Sequence, residues 1–359
     1  MKQSQLIIAL LLSFHALYSQ LPAAKNIFIV TIDGIRWQEV FQGPDPSILN
    51  DGRYTKNGEL ARLLYCDTNA TESRKKLLPF FWNVISQKGR LYGNRLLNNK
   101  VNVANPYKFS YPGYNEMLTG YPDMQVSSNH AIENENINVL EYLNSLDEFK
   151  NSVVAFTSWN IFPYILSKNR NELPVYSGYD SVSDEGDTSM ELINGLQQNF
   201  IPDKKVTRLD DLTFIAASEY IKTNKPKVVL IGFGECDEDG HGGSYDLYLR
   251  HLNAADKMIA ELWYYIQSTP EYQNKTILLI TTDHGRGKKE NKWTNHDALI
   301  KGSGDAWLAA IGPGISAMGE MSLPGQIYQK QIAATISTIL GHNFTANHPV
   351  ANAIEFKNN

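Results

Sequence analysis

Apolar, β-branched runs over 26–32, 152–156, 228–233 and 276–282 read as buried strands. Helical periods separate them. These cover Leu77 to Ser86, the segment after the Pro-Gly turn at Ser110, and Asn138 to Leu146, then Asp211 to Lys222. A long helix follows with Leu249, Leu252, Ile259, Leu262 and Ile266 on one face and Pro270 as its stop, and a last one surrounds Ile332, Ile336 and Leu340. Strands alternating with helices imply an α/β fold, a three-layer sandwich with a mostly parallel central sheet. Two stretches break the pattern. Residues 41–76 are polar and punctuated by Gly and Pro, and 160–205 are irregular; both are expected as excursions over the surface. No internal repeat, coiled coil or low-complexity tract is present.

The 359 residues are 42% hydrophobic, enough for a full core, and the net charge of -5 comes without a basic block. Nucleic acid and anionic membrane are therefore not expected as main partners. Cys66 and Cys236 form no CxxC, which excludes a thiolate zinc site and leaves open one disulfide or two thiols. At the N-terminus Lys2 precedes an apolar run from Leu6 to Leu12, and Ser19-Gln20 offers a small residue for cleavage. This is a secretory signal pattern, too short for a spanning helix. Residues 1–20 are expected to be a leader to the periplasm or the exterior, and 21–359 a single catalytic domain.

Three of the strands deliver an acidic residue at or just past their last apolar position: Asp33, Asp237 and Asp283. Ligands gather at the carboxyl ends of strands in such sheets, so these groups should share one edge. Two bring a histidine, as Asp237-x-x-x-His241 and Asp283-His284. Carboxylates crowded in a low-dielectric crevice repel one another, and cations are the usual remedy. With one further histidine the set exceeds what one tetrahedral zinc needs. Two ions roughly 4 Å apart can clamp the attacking and leaving oxygens of a phosphoryl transfer. Ser110, in its Pro-Gly turn, is the candidate nucleophile.

These residues resemble the alkaline phosphatase superfamily, most closely its nucleotide pyrophosphatase/phosphodiesterase branch. Ser110-Tyr-Pro-Gly-Tyr114 resembles the nucleophile segment Thr-Phe-Pro-Asn-His. Glu235-Cys-Asp237-Glu-Asp-Gly240-His241 resembles Glu-Pro-Asp-x-x-Gly-His, Thr282-Asp283-His284-Gly285 resembles Ser-Asp-His-Gly, and Ile311-Gly-Pro-Gly314 a Gly-Pro-Gly segment. The resemblance implies one ion on Asp33, Asp283 and His284 that activates Ser110. It implies a second on Asp237, His241 and a later histidine, with His296 preferred and His348 its rival. Asn129 matches the position of an asparagine that hydrogen-bonds a phosphate oxygen. Zinc is expected for mixed His/Asp ligands, with manganese and iron as the alternatives.

Departures shape the expected substrate. Sulfatases of this superfamily need an arginine where Tyr114 stands, so a formylglycine nucleophile is not expected. The Lys-x-Arg pair of some exported monoesterases has no match in Ser158-Trp159-Asn160-Ile161-Phe162, and without that clamp a monoanionic diester is favoured over a dianionic monoester. A small-molecule phosphate ester is the expected partner. Tyr114, Trp159 and Phe162 either stack on a substrate ring or pack in the core. A monoesterase or phosphoryl mutase of the same fold is the alternative, and a non-catalytic metal- or glycan-binding protein is the alternative of another class.

Overall fold

Strand β1 (Asn26–Ile32) lies inside an eight-stranded sheet, hydrogen-bonded in parallel to β6 (Val228–Phe233) on one side and β7 (Thr276–Thr281) on the other. The computed structural model describes residues 24–182, 188–199, 201 and 206–356, so the leader pattern at 1–20 lies outside the described residues. Beyond β6 the parallel run continues through β4 (Val153–Thr157) to β5 (Val175–Ser177). On the far side β9 (Leu308–Ile311) runs antiparallel to β7, β2 (Gly89–Tyr92) antiparallel to β9, and β10 (Gly319–Glu320) closes that edge beside β2. A small sheet of β11 (Gly325–Tyr328), β3 (Asn99–Asn102) and β8 (Asp305–Ala306) stands apart.

The central strands are apolar throughout because both faces are covered. Phe28, Val30 and Ile32 enter one hydrophobic cluster while Ile27 and Ile29 enter the other, the period of two that a pleated strand imposes. The first face is covered by the helix Tyr245–Ser268, which buries Leu249, Leu252, Ile259, Leu262 and Ile266 as its spacing predicts. Each such side chain contributes roughly 1.5–3 kcal/mol of transfer free energy. The opposite face is covered by the helices Ser110–Thr119, Val139–Asn144 and Ile332–Ile339.

Three stretches differ from expectation. Residues 41–76 hold short helices, Pro46–Leu49, Gly58–Tyr65 and Ala70–Leu77, two of them started by side-chain caps. Asp45 accepts from Ser47 N and Asn69 from Glu72 N, which makes up for the weak apolar period. The helix expected from Leu77 to Ser86 is broken. Pro79 forces Leu78 out of the helical region, and the chain restarts as a π-helical turn, Phe81–Ile85, whose entry Asp256 caps by accepting from Phe80 N and Phe81 N. Among the described residues of 160–205, β5 and the helices Phe162–Ile165 and Thr188–Asn199 replace the expected irregularity, while 183–187, 200 and 202–205 lie outside the described residues.

Cys66 and Cys236 are unpaired. Among the described residues no helix is long and apolar enough to cross a membrane.

Candidate metal centre and nucleophile

Register decides where the chemistry falls. Ile32 pairs with Phe233 and Thr31 with Thr281, so β1, β6 and β7 end level with one another. Asp33 follows β1 directly, and Asp283 follows β7 after Thr282. Asp237 stands in the first turn of the helix Glu235–His241 that opens after β6, where the i, i+4 spacing puts His241 on the same face. The third wall is the helix Ser110–Thr119, with Ser110 as its first residue. That helix packs tightly on the end of β7, and at Gly113 a Cβ would lie 2.6 Å from the carbonyl oxygen of Asp283.

Ser110 Oγ lies 3.3 Å from His284 Nε2. The same nitrogen is 3.5 Å from Asp33 Oδ1 and 3.4 Å from Asp283 Oδ2. The other ring nitrogen, Nδ1, sits 2.9 Å from the Gly285 carbonyl, a bond that requires the proton on Nδ1 and leaves Nε2 a lone pair. Asp283 Oδ1 accepts from Gly34 N, and Asp33 Oδ2 accepts from the Tyr114 hydroxyl at 3.2 Å. Asp33 Oδ1 and Asp283 Oδ2 are buried without a hydrogen-bond donor. Acceptors thus face acceptors, and burying them unpaired is costly.

The second group adjoins the first. His241 Nε2 is 3.1 Å from Asp237 Oδ2 and 2.9 Å from His296 Nε2. The His296 ring stacks on that of His284 with centroids 3.9 Å apart, and His296 Nε2 is 3.8 Å from Asp237 Oδ1. Asp33, Asp283 and His284 form one cluster of atoms able to hold an ion, and Asp237, His284 and His296 another.

The electrostatics agree with the geometry. Burial, reinforced by Asp283 and Asp237, raises Asp33 well above the usual carboxylate range. Burial beside Asp237 pushes Asp283 up to about 8. Burial also lowers His284 to about 4, so its ring is neutral and ligand-ready. Asp237 resists the same burial because Arg286 and His241 beside it hold it well below that range. Two carboxyls that ionise with difficulty, with unpaired oxygens beside a neutral imidazole, fit a divalent cation.

The structure therefore brings Asp33, Ser110, Asp237, His241, Asp283, His284 and His296 to one edge. Asn129 reaches it indirectly, its Oδ1 accepting from Tyr111 N next to the nucleophile. His348 does not join them. Its Nε2 meets the Ile137 carbonyl and its ring stacks on Tyr121. Tyr114 and Phe162 are buried and packed edge-on at 4.6 Å, which removes them as ring-stacking surfaces. Sequence reasoning missed Tyr114 as a support of Asp33, and it missed Arg286, which bonds Asp237 from the position after Asp283-His284-Gly285.

The whole architecture is shared with solved structures. The chain superposes on alkaline phosphatase PafA with a TM-score of 0.62 at 10% identity, over 93% of this chain and 99% of that one. The fold is alkaline-phosphatase-like. The phosphonate monoester hydrolase of Agrobacterium radiobacter gives a TM-score of 0.57 at 11% identity, over 92% of this chain and 76% of that one. The lipoteichoic acid synthase LtaP from Listeria monocytogenes gives 0.53 at 12%, over 90% and 74%. The family model of the Metalloenzyme superfamily matches residues 187–298, the stretch that carries Asp237, His241, Asp283, His284 and His296. Comparison with curated proteins finds no match. Within the alkaline phosphatase fold, the carboxyl edge of the sheet is where this chain gathers its acids, histidines and serine.

Proposed function

We propose that this chain is an exported, two-metal hydrolase of phosphoric esters that works through a phosphorylated Ser110, with diesters of the nucleotide pyrophosphatase/phosphodiesterase type as substrates. The carrying observation is the convergence of Ser110 Oγ and His284 Nε2 at 3.3 Å beside two carboxylate oxygens that have no donor. Asp33, Asp283 and His284 would hold one ion next to Ser110, and Asp237, His241 and His296 the other. Three protein ligands with an open position is the pattern of catalytic rather than structural sites. The mixed carboxylate and imidazole donors favour zinc. Export rests on the leader pattern at 1–20.

Bound divalent ions would supply Lewis acidity at the attacking and leaving oxygens. Ser110 Oγ gives up its proton to solvent and forms the new bond to phosphorus while the bond to the leaving oxygen breaks on the opposite side, and that oxygen takes up a proton from solvent. Water then attacks the phosphorylated serine and returns the hydroxyl. Asn129 anchors the turn through Tyr111 N with its Oδ1, which leaves its amide N–H groups as donors for a phosphoryl oxygen. The preference for diesters rests on the segment after β4. Ser158 there is buried and bonded to Asp210 and Thr213, so no cationic clamp comes from it.

A second reading, a phosphomonoesterase, is favoured by one observation, the superposition over 99% of a chain described as an alkaline phosphatase. Turnover of bis-p-nitrophenyl phosphate against p-nitrophenyl phosphate separates the two. The covalent step is tested by acid-quenching zinc-loaded enzyme during turnover and weighing its peptides. A phosphoryl group on the peptide containing Ser110 is expected; turnover with that peptide never modified would overturn the proposal.

A further inference from the structure

Arg286 is among the largest fully buried side chains of the molecule, yet it carries a charge. Its Nε donates to the Trp293 carbonyl at 2.9 Å, its Nη2 to the Thr294 carbonyl and its Nη1 to Asp237 Oδ1. Three acceptors from two elements thus converge on one planar group, and guanidinium is the side chain whose fixed fork can serve them together. The room for it has been made at Gly240, where a Cβ would come within 2.5 Å of Arg286 Cζ. The glycine of the Asp237-x-x-Gly-His241 helix is therefore the seat on which the guanidinium rests.

What the arginine joins matters more than its burial. The stretch from 286 to 296 doubles back, with Gly287 N donating to the Asn295 carbonyl at 3.0 Å. It is held at Trp293, which is fully buried and meets Tyr54, Tyr245 and Tyr248 edge-on at 5.7, 5.1 and 5.6 Å. This stretch carries His296 at its far end, and the helix against which it lies carries Asp237 and His241. Arg286 is the polar bridge between the two. Its contact also takes one oxygen of Asp237 and leaves the other, Oδ2, towards His241.

We propose that Arg286 is the positioning residue of the second ion site: it pins the His296 stretch to the Asp237–His241 helix and fixes Asp237 as a one-oxygen ligand. The inference rests on the two-metal reading above. It makes the two sites unequal, because the group formed by Asp33, Asp283 and His284 has no hydrogen bond to the arginine and should feel its loss far less.

The test is zinc binding to the full metal-free chain, followed by calorimetry and by metal content after desalting. Two ions are expected for the wild type. Arg286→Gln should lose affinity for the ion on Asp237, His241 and His296 by roughly 10–100-fold, the usual cost of removing a group that orients a ligand, and change the other site far less. Arg286→Lys keeps the charge without the fork and should also weaken the Asp237, His241 and His296 site, which guards against a variant that fails to fold. Combining Arg286→Gln with His296→Ala should cost little more than His296→Ala alone, since both act on one site. Two ions bound to Arg286→Gln with wild-type affinity, or equal weakening of both, would overturn the inference. A wild type that binds fewer than two ions would instead remove the reading beneath it.

Discussion

Ser110 and His284, 174 positions apart in the chain, meet at 3.3 Å through Oγ and Nε2. The contact joins the first residue of a helix to the residue after a strand-end aspartate, and no local sequence preference produces it. Ser110→Ala removes the oxygen proposed to attack phosphorus and keeps every carboxylate and imidazole. Turnover should fall on the order of 1,000-fold or more, as for other nucleophile deletions, while zinc content stays near that of the wild type. Metal analysis beside steady-state assays measures both.

Tyr114 offers a handle on the ion proposed to lie beside Asp33. Its hydroxyl is the donor to Asp33 Oδ2, and burial raises its own ionisation well above the usual range, so it remains a donor at any working pH. Tyr114→Phe keeps the ring packed on Phe162 and removes only that bond. Zinc affinity at the Asp33 site should drop roughly 10–100-fold, with little change in melting temperature. An unchanged isotherm would show that Asp33 needs no such support.

The two late histidines should behave oppositely. His296→Ala deletes a group that meets His241 at 2.9 Å and should remove one ion per chain together with most of the activity. His348→Ala removes contacts to the Ile137 carbonyl and Tyr121, and it should change ion content by nothing measurable. Metal content of the two purified variants decides between them.

Stability should fall as pH rises. Burial pushes Asp256 and Asp210 from 3.8 up to about 7 in the folded protein, the latter with help from Glu235. Between about pH 4 and 7 the folded state therefore binds protons that the unfolded chain has released. This contribution is present below pH 4 and lost as pH rises through 7. Melting temperatures of the metal-free protein should show the slope, and Asp256→Asn should flatten it. The same variant should lower stability overall, because an amide presents one acceptor where Phe80 N and Phe81 N find two.

Much of this was legible because strands buried on both faces are written as unbroken apolar runs. The ends of β1, β6 and β7 could be placed from residues 32, 233 and 281, and the acids beyond them followed. The helix Tyr245–Ser268 announced itself by a sustained period over six turns. The helices between 46 and 77 did not, since Pro46–Leu49 and Ala70–Leu77 start from side-chain caps and Gly58–Tyr65 leaves Leu60, Leu63 and Leu64 exposed. Arg286 was illegible for another reason. Nothing in its neighbours says that a charged residue after Gly285 turns inward, and only the empty space at Gly240 does so once the helix is in place. Tyr114 was read for what it replaced, an arginine, rather than for the aspartate it reaches.

The close approach at Gly113 has a mechanical corollary. A hydrogen atom there serves as a feeler gauge between the helix that presents Ser110 and the strand that ends in Asp283. Any larger substituent wedges the gap and swings the hydroxyl away from its partners, with each half left intact. Damage of that kind would look like a chemical defect in assays, although its origin is a fitting tolerance of a few tenths of an ångström.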